Sequence, residues 1–134
     1  MSIVVGFLPT PEGTAALDAA RREASDRAAL LVIVNVAFPR HGLHHQEQED
    51  ANNAALAQLE AELTADGTAY ELVHPVGDFD PAEEILAAAA GPEVELVVLG
   101  LRRRTPVGKM LLGSTAQRVL LQADCPVLAV KAHH

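Results

Sequence analysis

Short apolar runs alternate along the chain with longer stretches in which polar and apolar positions are mixed. Residues 2–7 (SIVVGF) and 30–38 (LLVIVNVAF) are apolar on both faces and rich in β-branched side chains. Strands of this kind lie in parallel sheets that helices cover on both sides. Further strands are predicted over residues 70–76, 94–99 and 126–130. Because Pro75 cannot donate to a neighbouring strand, the first of these three is expected near an edge of the sheet.

Helical stretches separate these strands. They are predicted over residues 14–28, 46–65, 81–90 and 114–122. Leu56, Leu59 and Leu63 form one apolar stripe on the second helix. Asp80 followed by Pro81 is typical of an N-cap and the first turn of a helix, which places the start of the third one.

The alternation of strand and helix predicts one α/β domain over residues 1–134. A five-stranded parallel sheet would lie between two layers of helices, joined by right-handed crossovers. We expect a doubly wound, flavodoxin-like or Rossmann-like three-layer sandwich with the strand order 3-2-1-4-5. Ligands bind such sheets outside the carboxyl ends of the strands, where the winding reverses, here between the first and fourth strands. Two predicted loops, over residues 8–13 and 100–114, would face that crevice.

Composition narrows the class of function. The chain is 49% hydrophobic and has a formal net charge of −8, with three Phe and one Tyr as its only aromatic residues. Nucleic-acid binding is not expected, because it needs a basic face and stacking aromatics. No segment approaches the ~20 apolar residues of a membrane span, and no secretory signal is recognised. The single Cys125 fits a reducing compartment, so we expect a cytoplasmic protein in which this residue serves as a small apolar side chain.

The segment over residues 97–115 (VVLGLRRRTPVGKMLLGST) has the layout of an anion site. Its candidate ligand-binding residues are Gly100, Arg102, Arg103, Arg104, Lys109, Gly113, Ser114 and Thr115. Glycines let a ligand approach the backbone, and hydroxyls and amides at a helix N-terminus donate hydrogen bonds to phosphate oxygens. The Gly-Ser-Thr run could instead only cap the helix, and the arginines could be only solvated charge.

The spacing within this segment resembles the universal stress protein family. The family signature is Gly, two residues, Gly, nine residues, and Gly followed by Ser or Thr. Gly100, Gly113 and Ser114 match it, whereas Arg103 occupies the place of the second glycine. The stretches VELVVLG, LLGSTAQRVLLQADCPVLAV and GDFDPAEEIL also look like the family, so the resemblance covers essentially the whole chain.

This resemblance implies a small stress-response regulator that binds ATP, or the related AMP or ADP, with Mg²⁺ as a candidate companion. The implied phosphate contacts are Gly100, Gly113, Ser114 and Thr115, those near the base are Val36 and Ala37, and the end of strand one is occupied by Leu8, Pro9 and Thr10. Arg102 and Arg103 are added as candidate phosphate contacts because they lie within this loop. The resemblance also implies a homodimer that forms through the last strand, from Pro126 to Val130.

Two departures from the family pattern leave alternatives open. Family members commonly carry Asp, Gly and Ser where this chain has Leu8, Pro9 and Thr10, so a carboxylate contact to ribose or metal is missing. The guanidinium of Arg103 could bind phosphate bidentately, or its side chain could alter the loop. The rival hypothesis is therefore a dimeric stress module of the same fold without nucleotide. No catalytic residue is predicted, and a slow ATPase would need Glu12, the acid nearest the crevice, as its base.

A cluster of histidines precedes the second predicted helix. His41, His44 and His45 are followed by several acids, but they lack the helical i, i+4 histidine pair that preorganises zinc ligands. We expect a mobile surface loop there and no metal site.

Overall fold

Five parallel strands form the central sheet of the molecule. The computed structural model describes residues 1–37, 44–103 and 110–132. The strands in this part of the chain are β1 (Ser2–Phe7), β2 (Leu30–Asn35), β3 (Tyr70–Val73), β4 (Val94–Arg103), β5 (Met110–Leu111) and β6 (Val127–Lys131). The parallel strands follow the order β3-β2-β1-β4-β6, which confirms the predicted order 3-2-1-4-5. The two-residue β5 pairs antiparallel with the end of β4.

The central strands are buried as their composition predicts. Every residue of β1 is buried, and so is every residue of β2 after Leu30. Successive side chains point to opposite faces of the sheet, so Ile3 and Val5 pack into one core whereas Val4 packs into the other. A strand whose side chains pack into a core on both faces of the sheet has no polar face, which is why these runs are apolar throughout.

Four helices cover the two faces of the sheet in the described ranges. They are α1 (Pro11–Arg27), α2 (His45–Asp66), α3 (Pro81–Ala88) and α4 (Ser114–Gln122). Leu17 of α1 and Leu63 of α2 belong to one core, and Ile85 of α3 and Val119 of α4 belong to the other. The predicted three-layer sandwich is thereby confirmed. None of the helices that the structure describes is long and apolar enough to cross a membrane.

The first helix begins earlier than predicted. α1 starts at Pro11 rather than at residue 14, because the Thr10 hydroxyl accepts a hydrogen bond of 3.0 Å from the Gly13 amide and caps the helix. Proline is well suited to this first position, since its missing N–H would have no partner within the helix. The hydroxyl oxygen of Thr10 therefore helps to hold the start of α1.

Two strands end earlier than predicted. β2 ends at Asn35 and β3 ends at Val73, before the predicted ends at residues 38 and 76. Residue 38 lies outside the described residues. β3 stops two residues before Pro75 and lies at the edge of the sheet, and that edge position confirms the prediction.

The segment after residue 99 begins as a strand rather than as a loop. β4 continues to Arg103 because Arg102 pairs with Leu111 and Arg103 pairs with Met110 in antiparallel register. The prediction of a loop that starts at Gly100 is therefore wrong. The last strand, β6, is shifted by one residue from the predicted 126–130.

Candidate functional site

A crevice opens at the carboxyl ends of β1 and β4, where the winding of the sheet reverses. Its first part, which we call the β4 pocket, has a volume of about 170 Å³. The predicted ligand-binding residues that line it are Leu8, Val36, Gly100, Arg102, Gly113, Ser114 and Thr115. These residues come from four separate segments of the chain, and the parallel order of the strands brings them together.

Gly113 is a glycine that the fold itself does not require. Its φ of −67° and ψ of 164° are accessible to any residue, and a Cβ placed on it would meet no atom of the described residues within 4 Å. It precedes α4 without a side-chain cap, and the first hydrogen bond back to it comes from the Gln117 amide. The amides in the first turn of α4 thus have no partners within the helix, and no side chain at residue 113 covers them.

Gly100 is a glycine for a different reason. A Cβ on this residue would overlap the backbone carbonyl of Glu12 at the start of α1. Glycine therefore lets β4 approach the first turn of α1, a packing role that the sequence interpretation did not include. The same close approach brings Glu12 into the wall of the β4 pocket.

The β4 pocket contains one guanidinium and one carboxylate among its described lining residues. Arg102 is exposed near the end of β4, and Glu12 is half-buried in the first turn of α1. Arg104 and Lys109 lie outside the described residues, and a phosphate contact by Arg103 stays a prediction. The Arg102 guanidinium and the free amides at the start of α4 favour an anionic ligand. The Glu12 carboxylate repels an anion unless a metal cation binds together with it.

A larger second part of the crevice, which we call the α2 pocket, has a volume of about 540 Å³. Leu8 lines both pockets, so the two adjoin at the end of β1. Of the residues predicted near the base and ribose, Val36 lines the β4 pocket, whereas Pro9, Thr10 and Ala37 line the α2 pocket. The remaining walls come from the first two turns of α2 and from the loop between β3 and α3: His45, Gln48, Glu49, Ala51, Asn52, Asn53, His74, Pro75, Val76, Gly77 and Phe79.

Two asparagines that the sequence interpretation missed lie beneath the α2 pocket. Asn35 ends β2 and is 1% exposed, and Asn52 of α2 is 7% exposed. Their side chains form a reciprocal amide pair, with hydrogen bonds of 3.0 and 3.1 Å. A signal for Asn52 was present in the sequence, because it continues the helical spacing of the apolar stripe at Leu56 and Leu63. A polar residue in such a stripe indicates a buried partner or a pocket.

An ion pair ties the walls of the crevice together on the side of α3 and α4. The carboxylate of Asp80 accepts a hydrogen bond from the Ala82 amide at 3.0 Å, which caps α3 as predicted, and another from Arg118 of α4 at 2.5 Å. The hydrogen bond from Arg118 holds the pKa of Asp80 below its ordinary value. Arg118 is also 3.9 Å from the carboxylate of Glu83. The loop that lines the α2 pocket is thus connected to the helix that begins at the β4 pocket.

Comparison with known proteins decides the family. The sequence model of the universal stress protein family matches residues 1–131. The chain belongs to the universal stress protein family. A universal stress protein of Mycolicibacterium smegmatis is 42% identical over 131 residues, which make up 98% of each chain. These findings confirm the resemblance that the glycine spacing indicated.

Solved universal stress proteins share the fold over almost the whole chain. The structure of one from Archaeoglobus fulgidus has a TM-score of 0.75 at 27% identity and covers 98% of both chains. Another, solved in complex with cAMP, has a TM-score of 0.64 at 26% identity and covers 99% of this chain and 98% of its own.

The histidines near the crevice belong to a helix start rather than to a loop. His44 precedes α2 and lies 3.1 Å from the carboxylate of Glu47, and His45 is the first residue of α2 and lies 3.4 Å from that of Glu49. The prediction of a loop is therefore wrong for His45, and His41 lies outside the described residues. No group of three or more His, Cys, Asp or Glu side chains that could hold a metal ion occurs among the described residues of this universal stress protein.

Cys125 behaves as the small apolar residue that was predicted. It is half-buried and packs against the core under α3 and α4. Burial raises the pKa of its thiol, so the residue is protonated at neutral pH. A reactive thiolate is not part of the crevice.

Proposed function

We propose that this universal stress protein binds an adenine nucleotide, ATP or the related AMP or ADP, across the β4 and α2 pockets. The observation that carries the proposal is Gly113, which the fold does not require and which leaves the N-terminus of α4 open toward the β4 pocket. A glycine that packing and backbone conformation leave unexplained is accounted for by a ligand that approaches the backbone there. The relative with 26% identity that was solved with cAMP supports the choice of an adenine nucleotide.

The phosphates would lie in the β4 pocket. Gly113 leaves room for them, and the amides and hydroxyls of Ser114 and Thr115 can donate to their oxygens. Arg102 supplies a guanidinium, whose planar donors suit phosphate, and Arg103 is the second candidate for that role. Gly100 would serve this site in two ways: it lets the ligand approach the backbone, and it lets β4 pack closely on α1.

The base and ribose would lie toward the α2 pocket. Val36 and Ala37 follow β2 and line adjoining parts of the crevice, so the backbone at this point lies between the two pockets. Leu8 offers an apolar surface where the family commonly has Asp. The hydroxyl of Thr10 accepts the hydrogen bond that caps α1 and can still donate its own O–H, so we expect that donor and the apolar surface of Leu8 to face the ribose.

Mg²⁺ is a candidate companion of the phosphates. Magnesium is usually bound by one or two carboxylates together with phosphate oxygens and water. Glu12 lines the β4 pocket and is the carboxylate that this chain would offer such an ion. The cation would also remove the repulsion between Glu12 and the phosphates. Because Glu12, the one carboxylate among the described residues that line this pocket, is assigned here to the cation, we propose binding rather than catalysis for the site.

Ser114→Asp tests the proposal. We expect the affinity for a fluorescent ATP analogue to fall at least about tenfold, because a carboxylate would face the phosphates. An acid in the first turn of a helix favours the helix, so the loss would not reflect unfolding. Gln117→Glu adds the same charge on an exposed position of α4 outside the pocket and should bind like the native protein. Failure of the native protein to bind would contradict the proposal.

We further propose a cytoplasmic homodimer that acts in stress response. Within the described part of the sheet, β6 pairs with β4 alone, so its other edge is free to pair. Leu128 in this strand is 36% exposed, which adds apolar surface to the edge. The stress role follows from family membership, and the single cysteine supports the compartment.

The rival function is a dimeric module of the same fold without nucleotide. Leu8 favours it, because the carboxylate that family members commonly place there is absent. Mass spectrometry of small molecules released from freshly purified protein discriminates between the two. Release of ATP, ADP or AMP would exclude the rival.

A further inference from the structure

Phe79 is the one aromatic residue among the described residues that line the β4 and α2 pockets. The chain has only three Phe and one Tyr. Phe7 is 4% exposed and belongs to the core under α1 and α2, against which Tyr70 also packs, and Phe38 lies outside the described residues. Phe79 is half-buried and lines the α2 pocket. The aromatic surface that the described residues bring to these pockets therefore comes from a single side chain.

The backbone around Phe79 is held by its neighbours in sequence. Asp80, the next residue, caps α3 by accepting from the Ala82 amide and also accepts from Arg118 of α4. Two residues before Phe79 the chain turns at Gly77, whose φ of 74° lies in the left-handed region that glycine adopts readily. A Phe side chain has only two χ angles, so little conformational freedom is lost when a ring on an anchored backbone binds a ligand.

The two pockets differ in what they offer a ligand. The β4 pocket has the Arg102 guanidinium and the first turn of α4, which suit phosphate. The α2 pocket has Phe79 together with apolar side chains that follow β1, β2 and β3: Leu8, Ala37, Pro75 and Val76. Its volume of about 540 Å³ falls in the range of small-molecule sites, and a planar base can stack on a planar aromatic ring. The two ends of the crevice thus match the two ends of a nucleotide.

We propose that Phe79 stacks on the adenine base and is the residue by which the α2 pocket holds it. This inference rests on the proposed function, because it needs the base of the nucleotide to enter that pocket. The contact uses the π-face that every base has, so it needs no hydrogen-bonding edge of the base. Phe79 thus adds a binding residue outside the segments to which the family resemblance assigns contacts.

Comparison of AMP with ribose 5-phosphate, which has the same sugar and phosphate but no base, isolates the contact. Isothermal titration calorimetry on the full chain measures the affinity of each compound for the native protein and for Phe79→Ala. We expect Phe79→Ala to lower the affinity for AMP by about 5- to 140-fold, the range for replacing a stacking aromatic residue by alanine. The affinity for ribose 5-phosphate should stay the same, because this compound has no base for the ring to contact. Phe79→Tyr keeps the aromatic face and should restore the binding of AMP.

A fluorescence measurement detects the stacking itself. The native chain contains no Trp, so Phe79→Trp places a single indole in the α2 pocket. Saturating AMP should quench the emission of this variant, excited beyond the absorption of adenine, because direct stacking on a base quenches an excited indole. Ribose 5-phosphate should leave the emission unchanged.

Leu121→Trp is the matched control for the fluorescence measurement. Leu121 is 82% exposed on α4 and lies outside both pockets. AMP should therefore not change the emission of this variant. Thermal melting checks that every variant is folded.

The outcomes are distinguishable. A native protein that binds no AMP contradicts the proposed function and this inference with it. If the native protein binds AMP, a folded Phe79→Ala variant with the native affinity, or a Phe79→Trp variant that binds AMP without quenching, overturns the role of Phe79 alone and leaves nucleotide binding in place. A purely structural role of Phe79 would weaken the binding of AMP and of ribose 5-phosphate by the same factor, and that result would also overturn the stacking contact.

Discussion

At Gly100 a methyl group would overlap the backbone of Glu12, whereas at Gly113 it would meet no atom within 4 Å in the part of the chain that the structure describes. Both residues belong to one family signature, yet only the first is demanded by packing. The distinction matters for function, because a glycine with no structural reason indicates that the free space serves something outside the chain. Arg102 lines the same pocket as Gly113 and would place a positive charge near a bound phosphate.

Alanine at each glycine separates these two roles. Gly100→Ala should lower the free energy of unfolding by about 1–3 kcal/mol, because β4 and α1 must move apart. Gly113→Ala should change stability by less than about 0.5 kcal/mol and should weaken nucleotide binding. Urea denaturation and calorimetry measure the two quantities. Equal destabilisation by both variants would contradict this assignment.

How far the sequence predicts the structure differs from residue to residue. Leu8, Gly100 and Ser114 meet in the β4 pocket as expected, because the flavodoxin-like strand order that was assumed places the ends of β1 and β4 side by side. The partnership of Asn35 and Asn52 could not be foreseen, since it depends on how α2 is placed against the end of β2. The close contact of Gly100 with α1 is likewise a matter of packing between distant segments.

At the scale of elements, local signals place most boundaries. β1 and α4 have the predicted bounds, because an apolar run and the residues that begin a helix are both recognisable from neighbouring positions in the sequence. β4 is longer than predicted because its extension pairs with β6 at Gly100 and Leu101 and with β5 at Arg102 and Arg103. β5 has only two residues, which is too short to leave a recognisable pattern. Ends that depend on a partner strand are thus less predictable than ends that depend on a cap.

We expect the ion pair between Asp80 at the start of α3 and Arg118 of α4 to stabilise the fold. Asp80→Asn keeps a capping side chain but loses the charge that Arg118 meets, so we expect a lower melting temperature at pH 7. The pKa of Asp80 is lowered in the folded state, so its stabilising effect is present above the ordinary aspartate pKa of about 3.9. The effect is lost as the pH falls through the lower folded pKa.

Thermal melting between pH 7 and pH 2 checks this expectation. The difference in melting temperature between the native protein and Asp80→Asn should become smaller at the acidic end of this pH range. Asp78→Asn, an exposed aspartate two residues earlier, serves as the control and should melt like the native protein. A difference that stays constant down to pH 2 would show that the charge of Asp80 does not contribute.

At the scale of the whole molecule, the sheet leaves one crevice at its winding reversal and an unpaired edge at β6 in the part of the chain that the structure describes. The crevice gathers candidate ligand-binding residues from four segments, and the edge is where the proposed dimer would form. The two features lie on different parts of the sheet, so binding and assembly can be tested separately.

Assembly through β6 predicts the mass of the particle in solution. The chain has a mass of 14.2 kDa, and light scattering should give about twice that value. Leu128→Lys places a charge on the exposed part of this strand and should yield monomers. Val76→Lys makes the same kind of change on an exposed residue near the opposite edge and should leave the dimer intact. A native monomer at all concentrations would refute assembly through β6.

Calorimetric titration of ATP into native protein freed of bound ligand measures whether the crevice binds an adenine nucleotide. We expect saturable binding of a single nucleotide per chain, which Ser114→Asp weakens at least about tenfold and Gln117→Glu leaves unchanged. Absence of binding to the folded native protein, or equal binding by Ser114→Asp, would contradict it.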